Sequence, residues 1–444
     1  MNSFVAKVHA VQSDFDIHQP WVINHSDSVI CGTVFFANGH DIGLPQHHVV
    51  GITNAHCVES SASRECRVMK DTVVLGQCTV AWISPTQELD FAILIPKFDY
   101  CGALATVSEN ALPTGTQVRI IGYPYNSDTC QHAYGSVSGH ADGHWMQCNI
   151  ASNIGNSGGP LVSMDTGAVH GIVTQSPIGS ESITEVTPMW AVAQTLRRWS
   201  VPHVPVLRVP SLDICITRLH DLMKKQLGLC PDAEGGLVQR ANCGRLAVGD
   251  VIVRVGSFPV CKHTCMVQTP RAGAVAIDSE ALSLQLPMRF TVVLHRKGVA
   301  GEFEMVIHQQ EEEVLHIREL YPFWEHVEYV QTSGAVFMNL NLNLLKEIDE
   351  TEKEDELVHS AWHRWSSRNS RTAGVVVSFV MPHTYAHDFG LKPLMCLQSV
   401  NDTPIKNIEQ LKQYLSKKGR LRCASMMFTF DDFCLAVPLS SIQF

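Results

Sequence analysis

Three polar residues stand where their types could support nucleophilic chemistry. Ser157 lies in Gly155-Asn156-Ser157-Gly158-Gly159-Pro160, a serine between small residues. Glycine tolerates the positive φ that tight turns need, so such a cluster also reads as a plain turn. Small neighbours equally let a substrate reach the hydroxyl, and successive backbone N–H groups can converge on a developing oxyanion. A nucleophile of this kind needs a base and a carboxylate to orient that base. His56, in Gly51-Ile52-Thr53-Asn54-Ala55-His56-Cys57-Val58, and Asp90, in Glu88-Leu89-Asp90-Phe91-Ala92-Ile93-Leu94, are the candidates. Each sits at the edge of an apolar, β-branched run, where a strand hands over to a loop. Alone, either would be an ordinary core histidine or turn aspartate.

In chain order they run His, Asp, Ser, the order of a chymotrypsin-type triad. The stretches Thr-Asn-Ala-His, Leu-Asp-Phe-Ala-Ile-Leu and Gly-Asn-Ser-Gly-Gly-Pro-Leu resemble the three active-site motifs of the HtrA/Deg serine proteases. The resemblance runs from Phe4 to Arg198 and resumes in the C-terminal half as two PDZ-like modules, closest to the plant and fungal type. It implies a mainly β chain: a chymotrypsin-like double β-barrel protease domain over 1–200, then two α/β PDZ-like domains over 201–310 and 311–444. It implies Ser157 as nucleophile, His56 as base and Asp90 as orienter. The backbone N–H groups of Gly155 and Ser157, with Asn156 between them, would form the oxyanion hole. Ile154 and the strand Ile172, Val173, Thr174 would line a small apolar specificity pocket. The resemblance also implies an activation loop over Tyr123–Tyr134 and a second loop over Gln175–Thr187. Unfolded or damaged polypeptides would be the substrates of a trimer or higher oligomer, without cofactor or metal. An alternative reading is a gated or proteolytically idle PDZ scaffold; a secreted digestive protease fits neither the N-terminus nor the PDZ-like half.

The elements that must carry these residues are legible as short β-rich runs separated by turn signals over 4–198: Val29–Phe36, His48–Thr53, Thr72–Val74, Thr79–Ile83, Phe91–Ile95, Gln117–Ile121, Gly135–Ser138, Trp145–Ile150, Pro160–Val162 and Ala168–Val173. Many short strands at near-regular spacing predict a sandwich or barrel. Val192, Leu196 and Trp199 recur at helical spacing and predict a closing helix. A proline-punctuated linker follows at Val201–Pro210. Then come a strand at Leu212–Ile216, an amphipathic helix at His220–Leu227 ended by Gly228, and Gly249-Asp250-Val251-Ile252, which resembles a PDZ hallmark. Phe290–His295 and Glu302–His308 read as closing strands. Ser333–Phe337 resembles a PDZ peptide-edge strand, and Gly374–Val380, Gln398–Pro404 and helix Ile408–Leu415 complete the second module. The acidic stretch Lys346–Glu356 reads as a solvated helix or loop.

Composition narrows the classes. The 444 residues are 45% hydrophobic and 17% charged, which is ordinary globular protein and allows about three domains at ~150 residues each. No apolar run approaches the ~18 residues of a membrane span. Met1-Asn2-Ser3-Phe4-Val5-Ala6-Lys7 lacks a signal core, so the expected setting is intracellular and soluble. The net charge of −10 without a basic block argues against nucleic acid. The 15 cysteines show no regular disulfide spacing and read as reduced thiols. By resemblance, Cys31 and Cys57 occupy a pair of positions that bracket the catalytic histidine, and should lie within bridging distance. Cys261 and Cys265 lack a second ligand pair at zinc spacing. Three departures from the family stand out: Asn149 for an aspartate, a short Gly139–Trp145, and Asp213 where a carboxylate-binding loop favours glycine. The last predicts weak capture of free C-termini, because a carboxylate repels a carboxylate at low dielectric.

Overall fold

A computed structural model of the chain describes residues 4–141, 145–175, 182–200, 204–209, 212, 214–231, 234–241, 245–296, 299–306, 317–347, 356–366, 374–416, 425–431 and 433–438. Asp213, most of Lys346–Glu356 and parts of Gly139–Trp145 and Gln175–Thr187 lie outside the described residues. Contacts divide the chain into two compact units, residues 1–13 with 26–309, and residues 14–25 with 310–444. The first two sequence-derived domains thus share one unit, and residues 14–25 group with the C-terminal part.

Strands β1 (Val5–Phe15), β2 (Ile23–Ala37), β3 (Val50–Thr53), β4 (Glu65–Lys70), β5 (Val73–Ser84) and β6 (Phe91–Pro96) close into a barrel in the order β1-β2-β3-β6-β5-β4. A second closed barrel, β10-β11-β12-β9-β8-β7, uses β7 (Gln117–Gly122), β8 (Gln131–Ala141), β9 (Trp145–Cys148), β10 (Pro160–Ser163), β11 (Val169–Gln175) and β12 (Thr184–Pro188). Closure removes the edges an open sheet would expose. Every residue of β3, β10 and β12 is buried. Such strands are covered on both faces, so alternation fails there and the runs read as continuously apolar or as polar residues with satisfied hydroxyls. Helix α1 (Met189–Trp199) follows, with Val192, Leu196 and Trp199 all buried as their spacing predicts.

The rest of the first unit includes a sheet whose strands Ile214–Arg218, Gly236–Ala241, Val251–Val255, Arg289–Arg296 and Val299–Val306 lie in that spatial order. Helix Glu280–Gln285 lies beside it, its N-terminus capped by Ser279, whose hydroxyl accepts from the Leu282 N–H at 3.2 Å. Arg198 at the end of α1 donates to the carbonyls of Ser283 (2.9 Å) and Leu286 (2.6 Å), which satisfies the open C-terminal end of that helix. One hydrophobic core runs from Phe35 and Ile52 through Trp190 and Leu196 to Leu282 and Val292. Helix Asp221–Gln226 forms where expected and stops before Gly228 at φ +67, but none of its residues is buried. Its apolar spacing is therefore not matched by a packed face.

Gly249-Asp250 is more than a turn. Asp250 is buried and accepts from Arg296 through Oδ1 (2.8 Å) and Oδ2 (2.7 Å), and from the Ala247 N–H at 2.8 Å. Replacing Asp250 with Ala strands those donors, and a loss of about 2 kcal/mol is expected. A denaturation midpoint equal to wild type would contradict that.

The second unit is built on a sheet ordered Tyr329–Thr332, Ala335–Asn339, Val375–Val380, Cys396–Val400, Ser425–Phe430 and Cys434–Pro438. Helix Ile408–Ser416 buries Ile408, Leu411 and Leu415 in the core formed by that sheet. Ile17 is buried among Ile317, Val327 and Met338, which explains why residues 14–25 belong here. His18 Nδ1 meets the Ser378 carbonyl at 2.8 Å and its Nε2 meets Glu347 at 3.1 Å. One expectation is corrected. Ala335–Asn339 is not an edge strand, because it pairs with Tyr329–Thr332 on one side and Val375–Val380 on the other. Its ladder groups are already used, so no peptide can add to it.

Candidate active site

The loops at the barrel ends bring His56, Asp90 and Ser157 into one region through named contacts. His56 follows β3 in a turn whose Val58 and Glu59 N–H groups both bond the Ala55 carbonyl. Asp90 precedes β6 in a left-handed conformation, φ +47, which aspartate tolerates better than most residues. Its carboxylate is buried and accepts twice from one residue: the His56 N–H at Oδ1 (3.1 Å) and the His56 Nδ1 at Oδ2 (2.7 Å). Asn54 Nδ2 donates to the Asp90 carbonyl at 2.7 Å, and Thr187 Oγ1 donates to Leu89 O at 2.6 Å. Both residues are fixed before any substrate arrives. Burial works against a charged His56 ring, but the hydrogen bond to Asp90, aided by the Cys57 sulfur and the Asp90 charge, outweighs it and raises the imidazole above its ordinary value.

Ser157 sits at the end of a turn that needs its glycines. Gly155 has φ +98 and Gly158 φ +84. The Ser157 hydroxyl donates to the Thr174 carbonyl at 3.1 Å. That carbonyl is available because the β11–β12 register slips between Val173 and Gln175, leaving Thr174 unpaired in the ladder. No hydrogen bond joins Ser157 Oγ to His56 among the described residues; in a serine–histidine pair the hydroxyl would have to turn from Thr174 to engage the ring. Apo sites often tighten in this way only when substrate binds.

Matches of sequence families decide the domain identity. The family described as "Trypsin-like peptidase domain" matches residues 32–172, and "PDZ domain" matches residues 321–435. The chain joins a trypsin-like peptidase domain to a PDZ domain. That pairing is consistent with an HtrA/Deg family protease. No curated protein matches the sequence. Among solved structures, the serine endoprotease from Yersinia pestis is 19% identical, with 69% of this chain and 93% of that chain covered at a TM-score of 0.44. The HtrA-type protease AlgW with a decapeptide is 19% identical, covering 68% of this chain and 94% of its own at 0.46. A protease of M. tuberculosis in its active form is 21% identical over 45% of this chain and 82% of its own, at 0.35.

Within the peptidase domain the other expected site residues divide. Ile154 is exposed beside the serine turn. Ile172 and Val173 are not available in that way. Their side chains point to opposite faces of β11 and are buried, Ile172 in the shared core and Val173 in the core of the second barrel. Val173 also spends its N–H on the Gly159 carbonyl (2.8 Å) and its carbonyl on the Gly158 N–H (2.9 Å). It holds the serine turn. Thr174 is buried with its hydroxyl on the Glu185 carbonyl at 2.7 Å, so only its backbone faces Ser157. The expected pocket strand thus has its side chains buried and its backbone bonded to the serine turn.

Cys31 and Cys57 are free thiols with separate partners, the Val29 carbonyl and the Ser157 carbonyl, each at 3.9 Å. Asn149 accepts at Oδ1 from the Ser136 N–H (2.5 Å) and Oγ (3.1 Å) and so ties β8 to the segment leading to Ser157. His47 is half-buried with its ring 6.0 Å from Trp82, and His48 is exposed. No helix among the described residues is long and apolar enough to cross a membrane.

Proposed function

We propose that the chain is a serine endopeptidase of HtrA/Deg type that hydrolyses peptide bonds in unfolded or damaged proteins through an acyl-enzyme. The observation carrying this reading is the Asp90 carboxylate that holds both the His56 backbone and its Nδ1 at 3.1 and 2.7 Å. A carboxylate so placed keeps the Nδ1 proton and leaves Nε2 as the basic nitrogen. Ser157 Oγ attacks the scissile carbonyl while His56 Nε2 takes its proton. The tetrahedral intermediate's oxyanion is received by the N–H groups of Gly155 and Ser157, and His56 returns the proton to the leaving amine. Water then attacks the ester by the same base, releasing the acid and Ser157. A role in protein quality control and assembly into a trimer or larger oligomer rest on the family resemblance.

The Ser157–Thr174 bond favours a second form of the same reading, in which the enzyme rests gated. Labelling with a serine-reactive phosphonate, alongside casein digestion, tests both forms. Wild type is expected to label and Ser157→Ala to lose labelling and cleavage together. Labelling without cleavage supports the gated form. A wild type that does not label would overturn the proposed chemistry.

A further inference from the structure

The loop from Ile154 to Ser157 raises a question its own residues do not answer: what points the right N–H groups outward. A peptide unit is planar, so fixing a carbonyl fixes the N–H of the next residue in the opposite direction. All four carbonyls of the loop are held. The Ile154 carbonyl accepts from the Tyr125 N–H (2.6 Å), Asn156 from the Gly159 N–H (2.9 Å), and Ser157 from the Thr33 N–H (2.8 Å). The Gly155 carbonyl, between the two intended donors, accepts from the Thr33 hydroxyl at 2.6 Å. The Asn156 N–H returns to Asn153 O at 3.0 Å and the Gly158 N–H goes to Val173 O at 2.9 Å. The N–H groups of Gly155 and Ser157 remain, with no acceptor among the described residues.

Among the described residues, Thr33 is the one that reaches this loop twice. It is fully buried on β2. Its hydroxyl also accepts from the Tyr123 N–H at 3.1 Å, and its carbonyl accepts from Thr53 Oγ1 at 2.7 Å. A threonine hydroxyl has one proton and two lone pairs, so donating to Gly155 and accepting from Tyr123 fixes its rotor. We infer that Thr33 is a positioning residue for the oxyanion hole: its hydroxyl locks the Gly155–Asn156 peptide, and thereby the angle between the Gly155 and Ser157 donors. The inference rests on the proposed function and adds a residue to it. Glycine at 155 makes that peptide easier to rotate once the hydroxyl is gone, when only the Asn156 N–H bond to Asn153 O still holds it. The Gly155 oxygen would then be buried without a donor, and would turn to find one.

Thr33→Val keeps shape, β-branching and the backbone N–H while removing the hydroxyl; Thr33→Ser restores the hydroxyl. Phosphonate labelling rate, kcat and KM for a fluorogenic peptide, and thermal midpoint are measured on the full chain. For Thr33→Val, kcat and labelling rate are expected to fall about 10–100-fold with KM within about twofold, less than the ~10²–10³ for deleting a donor outright. Thr33→Ser should recover to within about threefold of wild type. A valine variant that labels and turns over like wild type overturns the inference, as does a serine variant that falls as far as valine. Should the valine variant fail to fold, Thr33→Ala is compared with Thr33→Ser, and equal activities overturn it. A wild type that labels at Ser157 while Thr33→Val is indifferent sinks only this assignment. A wild type that never labels sinks the assignment and the proposed function together.

Discussion

Asp90→Asn is expected to lower kcat by about 10⁴ while leaving the fold intact. The backbone is not the reason for the loss. Asp90 holds a left-handed conformation at φ +47, which asparagine adopts as readily as aspartate. The reason is the direction of two hydrogen bonds. Oδ1 accepts from the His56 N–H, a group that can only donate, so the asparagine oxygen must stay on that side. Its amide NH₂ is then left facing His56 Nδ1, where Oδ2 now stands at 2.7 Å. A donor there forces the imidazole proton to Nε2, and the base loses the lone pair with which it would take the Ser157 proton. Thermal midpoint close to wild type, with turnover lost, is the expected pair of results. A variant retaining a tenth or more of wild-type kcat, about 10⁻¹, would show that Asp90 does not set the tautomer.

The same pair predicts a pH profile. His56 is raised above its ordinary value by Asp90 and Cys57 against the opposing effect of burial. Catalysis uses the neutral ring, so activity should rise with pH along a limb whose midpoint lies above ~6.5. Asp90→Asn removes the charge and the acceptor, and the limb of its residual activity should move to lower pH. Stability follows with the opposite slope. The ring's contribution is fully present below the unfolded imidazole value, where both states are protonated, and is lost as pH rises through the raised folded value. A wild-type acid limb centred at or below ~6.5 would count against the His56–Asp90 coupling.

Much of this candidate site is legible in sequence because its residues are rare types in restrictive surroundings. A serine between glycines, a histidine after a buried strand and an aspartate before one can be recognised without coordinates. The support around them cannot. Thr33 follows Cys31-Gly32 on β2 as an ordinary strand threonine, and only the approach of a loop more than a hundred residues away gives it work. Strand β12 was hidden by its polarity: Thr184, Glu185 and Thr187 look exposed in sequence, yet all are buried, with the Thr184 and Thr187 hydroxyls donating to the Ile150 and Leu89 carbonyls at 2.6 Å. Strand β4 carries only Cys66 and Val68 as buried apolar residues among charged neighbours. Strand β5 reads as two runs because Gly76, at φ +156, breaks the pattern opposite a slip between Val68 and Met69. The burial of Val173 and Ile172 has a like cause, since a strand packed on both faces shows no alternation to betray which side meets substrate. Residues 14–25 give no local sign that Ile17 and His18 belong with the C-terminal unit.

Gly158→Ala is the other large effect, and here geometry alone forces it. A Cβ on residue 158 would stand 2.1 Å from the Thr33 carbonyl oxygen and 2.2 Å from Thr53 Oγ1, on a backbone at φ +84. Neither neighbour can yield cheaply: Thr53 Oγ1 donates to that same Thr33 carbonyl at 2.7 Å, and Thr33 holds the Ser157 carbonyl. The turn must therefore move, and a displacement near 1 Å at the nucleophile is worth about 10²-fold or more in rate. A stability loss of about 2–4 kcal/mol should accompany it, from strain at a left-handed position plus the broken anchors. Gly167 separates the two contributions. It has φ +70 but nothing within 4 Å of its Cβ position, so Gly167→Ala carries the conformational strain without the clash. That control should cost about 1 kcal/mol and leave phosphonate labelling unchanged. If Gly158→Ala instead melts and labels like Gly167→Ala, the turn has room the structure denies it, and the close packing of Thr33 and Thr53 on the nucleophile is wrong.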